Sequence, residues 1–235
     1  MMKNLLSGTV LFLFLITTTT TLAQSPCKVG VQAPPVGFST WAPASEIKVY
    51  VLENNFVENE LPFLLRAMDA WNAASHLTDS KVRFEYKGLT AAQLYCENCL
   101  TIRRAPVFDK SNRHLATLRA SSGTPNQTIT WANITIDPLL TNAGTLTNAV
   151  AHELGHSFGL LDCYSCSARS TVMIKFKGIN VPNEMNGPSD CDLAQVKAVY
   201  QSLAQLKSKR PPKPLVIDEG EEPREDDTPI VVPKP

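Results

Sequence analysis

Apolar and polar residues alternate along Glu46-Ile47-Lys48-Val49-Tyr50-Val51-Leu52, the period of a strand with one buried face. Past Pro62 the period changes. Leu64, Leu65, Met68 and Trp71 recur at helical spacing within 63–74, while Arg66, Asp69 and Asn72 fall on the opposite side. Pro62 itself stands where the first turn of a helix leaves an amide without a partner. Val82-Arg83-Phe84-Glu85-Tyr86 returns to alternation and predicts a second strand. Residues 100–102, 115–120 and 128–136 read as three more, with Pro106 limiting the first and the turn-rich 121–126 joining the last two. A helix is expected next, capped by Thr145 or Thr147 and halted by Gly159. It carries Val150, His152, Glu153 and His156. Pro188-Ser189-Asp190 opens a last helix, with Leu193, Val196, Val199, Tyr200 and Leu203 on its inner stripe. Strands with one helix among them, followed by two helices, predict an α+β fold. The expected core is a mixed, twisted sheet of about five strands backed by two helices.

The two ends of the chain have another character. Lys3, the apolar run from Val10 to Ile16 (preceded by Leu5 and Leu6) and Thr21-Leu22-Ala23 have the order of a secretory signal over residues 1–23. The run is shorter than the roughly 20 residues of a spanning helix, so no stable membrane insertion is expected once the signal is cleaved. Residues 24–45 are rich in Pro, Gly and Ala and read as an extended N-terminal segment ahead of a domain at 46–207. From 208 to 235 the chain turns to Pro, Glu, Asp and Lys, which predicts a disordered tail. Lys and Arg number 22 against 22 Asp and Glu, a balance that offers nothing to nucleic acid or an anionic membrane. A monomer exported to an extracellular or periplasmic space is the expectation. Six cysteines behind an export signal predict disulfides: Cys27, Cys96, Cys99, Cys163, Cys166 and Cys191. The two C-x-x-C pairs also have the spacing of a four-cysteine structural zinc site. Asn126 and Asn133 begin glycosylation sequons.

The chemistry concentrates in His152-Glu153-Leu154-Gly155-His156-Ser157-Phe158-Gly159-Leu160-Leu161-Asp162. Positions i and i+4 of a helix share a face, so His152 and His156 can grip one metal ion from one rigid element. Glu153 is then placed to act on the ion's water rather than as a ligand. A catalytic zinc takes three protein ligands and keeps one position open. Of the four histidines, the remaining two are His76 and His114, far upstream, and none follows His156. The third ligand is therefore expected from Asp162, returned toward the ion by a sharp turn at Gly159, or less readily from the Cys163 thiolate.

This segment resembles the metzincin zinc metallopeptidases, whose pattern is H-E-x-x-H-x-x-G-x-x-H or D. The order of elements and the last helix, with its Pro188-Ser189-Asp190-Cys191-Asp192 start, are similar to the matrixin branch. The aspartate in third place is similar to the snapalysin-type enzymes. The resemblance covers about residues 46–205 and implies a methionine turn beneath the metal, for which Ser170-Thr171-Val172-Met173 is the matching segment. It implies one catalytic Zn2+ on His152, His156 and Asp162, with Glu153 as general base, and a polypeptide substrate laid along an edge strand near 115–120. It also implies a C-terminal subdomain holding the Met-turn and final helix. Calcium or a second structural zinc is common among matrixins, but no Asp- or Asn-rich loop here places either. Matrixin zymogens block the zinc with a propeptide cysteine, and the residues around Cys27 lack that segment's pattern. Against the endopeptidase stands a catalytically silent binding module of the same fold, a reading that leaves the intact Glu153 without a purpose.

Overall fold

The computed structural model describes residues 27–37, 39–109, 112–113, 116–123, 128–174 and 185–208. The expected signal, most of the expected tail, His114, Leu115 and Asn126 lie outside the described residues. Five strands form one mixed sheet in the order β2-β1-β3-β7-β6: β1 Glu46–Leu52, β2 Arg83–Thr90, β3 Cys99–Arg104, β6 Ala116–Gly123 and β7 Thr128–Ile136. β1, β2, β3 and β7 run parallel, and β6 closes one edge antiparallel to β7. A two-stranded hairpin of β4 Phe108–Asp109 and β5 Asn112–Arg113 stands apart. It lies beyond Pro106, the residue expected to limit the strand at 100–102.

Among the described residues three α-helices complete the fold: α1 Leu61–Ser75, α2 Ala143–Ser157 and α3 Asp190–Ser208. The alternation foreseen in β1 puts Ile47, Val49 and Val51 at 0–2% exposure, joined by Leu100 and Ile102 of β3 and Ala132, Ile134 and Ile136 of β7. Leu64, Met68 and Trp71 of α1 and Leu146, Val150 and Leu154 of α2 belong to the same core. The α+β sheet backed by two helices is thus the observed architecture. Trp71 stacks on Phe158 at 4.6 Å between ring centres, and its indole N–H donates to the Ala151 carbonyl at 2.9 Å. One side chain thereby locks α1 to α2 through both packing and a satisfied buried polar group.

One local expectation is corrected. α2 begins before Thr145, because Asn142 in extended conformation caps it with its side-chain oxygen on the Thr145 amide at 3.2 Å. Asn competes with Thr at this position, and the weakly apolar Ala143-Gly144 hid the first turn from a periodicity reading. Asn133 is 3% exposed in mid-β7, so a glycan has no room there on the folded chain.

The cysteines pair as Cys27–Cys191, Cys96–Cys99 and Cys163–Cys166. Each C-x-x-C closes on itself, which removes the four-cysteine zinc site and takes Cys163 and Cys27 out of reach as thiolate ligands. Residues 27–41 run as a strap across the segment that follows α2. Gly37 N–H donates to the Gly159 carbonyl at 2.6 Å, Leu161 N–H to Pro35 at 2.9 Å and Ser167 N–H to Val31 at 2.8 Å. Cys27 ties the start of this strap to the first turn of α3. Among the described residues no helix is long and apolar enough to cross a membrane.

Candidate metal centre

α2 ends where the sequence placed its stop. Phe158 leaves the helix and Gly159 takes φ +86°, a conformation in which a side chain is strained. The chain reverses there, and Asp162 returns to the face that carries His152 and His156. Among the described residues these three form a group whose ligand atoms all lie within 4.8 Å of one another. His152 Nε2 is 3.1 Å and His156 Nε2 3.4 Å from the same Asp162 oxygen.

The second nitrogen of each ring explains what the first can do. His152 Nδ1 is 2.9 Å from the Val172 carbonyl, and His156 Nδ1 is 2.8 Å from the Leu160 carbonyl. A carbonyl only accepts, so both Nδ1 atoms carry the proton and both Nε2 atoms of the neutral rings present lone pairs. Two lone pairs and a carboxylate oxygen then converge on one spot, an arrangement that repels itself without a cation between them. A tetrahedral zinc with ligand arms of about 2.1 Å has edges of about 3.4 Å, close to the 3.1 and 3.4 Å that separate the two imidazole nitrogens from the Asp162 oxygen. The donor set and its spacing fit the ion. For the metal-free protein a proton is the substitute: burial opposes charge on His156, but its hydrogen bond to the Asp162 carboxylate and the charge of Glu153 outweigh that and raise its pKa above the usual value.

Glu153 is 5% exposed on the helix beside His152. Met173 is fully buried beneath α2. Gly155 lets it come close, since a Cβ there would collide with the Met173 sulfur and stand 3.3 Å from Trp71. The Thr171–Met173 turn is held from α3. Asp192, 0% exposed, accepts from the Thr171 hydroxyl, from Val172 N–H at 2.9 Å and from Ser189 N–H and Oγ at 2.8 and 2.9 Å. Burial pushes the Asp192 carboxyl up from the usual range, and these donors pull against that rise.

Sequence reasoning missed two residues of this surround. Tyr164 donates its hydroxyl to the other Asp162 oxygen at 3.4 Å. Its signal was only proximity to Asp162 inside the C-x-x-C loop. Asp192 was read as part of a helix start, and nothing in the local pattern shows that it is buried. His76 sits in a single 3-10 turn after α1, remote in sequence from the cluster and outside it.

No protein-family model and no curated protein sequence matches this chain. Among solved structures it is similar to the crystal structure of Archaemetzincin (amzA) from Methanopyrus kandleri, with 10% sequence identity and a TM-score of 0.48 over 67% of this chain and 97% of that one.

Proposed function

We propose that this chain is a secreted zinc-dependent endopeptidase. The observation that carries the reading is the convergence of two imidazole lone pairs and one carboxylate oxygen, 3.1 and 3.4 Å apart, with each ring nitrogen behind them already committed to a carbonyl. His152, His156 and Asp162 would hold the ion, leaving the fourth position open. When bound, zinc supplies a positive charge that makes water acidic and polarises a carbonyl. Glu153, fixed on the helix beside His152, takes the water's proton and passes it to the departing amine. Tyr164 donates to Asp162 Oδ2, so the carboxylate presents Oδ1 to the site. An extended peptide would add to β6, the antiparallel edge of the sheet, by main-chain hydrogen bonds.

Zinc content by mass spectrometry and cleavage of a general protein substrate test the proposal together. Wild type should hold one zinc and cleave, chelation should stop cleavage, and Asp162→Ala should lose the metal. A protein that binds zinc yet cuts nothing in a broad peptide library would be the silent module instead. Proline substitutions along 116–120 that left cleavage untouched would remove the strand-addition part alone.

A further inference from the structure

Each imidazole of the metal centre hands its second nitrogen to a different part of the fold. His156 donates to the Leu160 carbonyl, and the amide of that same peptide unit, Leu161 N–H, donates to the Pro35 carbonyl at 2.9 Å. This chain of bonds ends on a neutral group in the strap. The chain from His152 ends on a charge. His152 Nδ1–H donates to the Val172 carbonyl. The peptide unit of that carbonyl carries Met173 N–H, which donates to Thr171 Oγ1 at 3.0 Å. The Thr171 hydroxyl then donates to Asp192. All three donors point the same way, toward a buried carboxylate that accepts from three further groups.

We propose that Asp192 is a positioning residue for His152, acting through the Thr171 hydroxyl and the Val172–Met173 peptide. Aligned hydrogen bonds polarise one another, so a carboxylate at one end draws the Nδ1 proton outward and enriches Nε2 at the other. A partner behind a ligating histidine also fixes the ring's tautomer and orientation. His152 thereby becomes the stronger donor of the two histidines, although both lie on one helix and both donate Nδ1–H to a carbonyl. The inference rests on the zinc reading of the site.

Zinc affinity, measured by competition with a chromogenic chelator, tests it in wild type, Thr171→Val and Thr171→Ser. Valine keeps the outline of threonine and removes the hydroxyl, and serine restores it. Loss of an outer partner of a metal ligand costs about 10–100-fold in affinity. Thr171→Val should weaken zinc binding about tenfold, at the lower end because the link is indirect, and Thr171→Ser should recover most of the loss. A Thr171→Val protein that binds zinc as tightly as wild type overturns the proposal, and so does an equal loss in Thr171→Ser, which would assign the effect to packing. Wild type that binds no zinc would instead strike down the zinc reading beneath it. Proton NMR of the zinc-loaded wild type adds a test that needs no variant to fold. The Nδ1–H signal of His152 should lie downfield of that of His156, and coincident signals would overturn the proposal.

Discussion

At the residue scale, the proposed site divides into side chains that would touch the reaction and side chains that make room for them. Glu153→Gln removes the proposed proton acceptor while keeping the shape and the three proposed ligands. Proton transfer by a positioned group is worth about 10²–10⁴ in rate, so peptide cleavage should fall by that factor with zinc content unchanged. Gly155→Ala tests the opposite kind of residue. Alanine favours a helix interior over glycine by about 0.8–1 kcal/mol, so propensity alone predicts a stabilised protein. The added Cβ, however, enters the space of the Met173 sulfur and Trp71, both buried. Overpacking of this kind costs about 1–3 kcal/mol, and the balance should be a lower melting temperature. A raised melting temperature would mean that Met173 can move aside. The proposed metal-facing residues were legible because their chemistry has a fixed spacing: His152 and His156 one turn apart, then a glycine, then the first carboxylate after His156. Tyr164 and Asp192 were not legible, because their roles come from contacts across 2 and 21 residues that no periodicity records.

At the element scale, the strap and the disulfides decide how firmly the returning loop is held. Asp162 sits between Leu161, whose amide is bonded to Pro35, and Cys163, whose amide donates to the Met173 carbonyl at 2.8 Å. Strap and Met-turn therefore clamp the ligand loop from both sides. Cys27–Cys191 closes a span of 164 residues and pins the strap to α3. The chain-entropy account of a loop that long gives about 5 kcal/mol, and removal of a native disulfide typically costs about 2–5 kcal/mol. The double variant Cys27→Ser with Cys191→Ser should lose stability within that range in chemical denaturation, with zinc binding weakened in step as the strap frees the loop. An unchanged denaturation midpoint would show that the strap is held by its main-chain bonds alone. Sequence patterning foresaw β1, β7, α1 and α3 closely, since each shows a clean period or a strong boundary residue. It undersold β2 and β3, where Lys87-Gly88 and Arg103-Arg104 continue the strands without the apolar alternation of their first residues. It gave the strap no structure, because a segment joined by backbone amides to a distant loop needs no apolar period of its own.

At the scale of the whole molecule, the fold assembles a candidate cation site whose donors repel one another without an ion, and in the proposed reading this couples metal, proton and stability. The α+β class followed from the order of periods, but the convergence of Asp162 on α2 depends on a tertiary reversal at Gly159 that the sequence could only suggest. The coupling has a sign that can be worked through. In the metal-free protein the pKa of His156 is raised above the usual 6.5, so the folded state binds this proton more tightly than the unfolded chain does. The stability it contributes is fully present below the unfolded value and is lost as pH rises through the folded value. Metal-free protein should therefore become less stable on raising pH through the region just above 6.5. Zinc reverses the slope. It must displace that proton to bind, so its affinity grows as the proton leaves, and its contribution to stability grows with it. Thermal melts across this region with and without zinc should diverge, the metal-free curve falling and the zinc-saturated curve rising. In His156→Ala the metal-free slope from this group should vanish. Parallel curves for the two forms of the wild type would show that proton and zinc do not compete for His156, and the ligand assignment of that residue would fall with them.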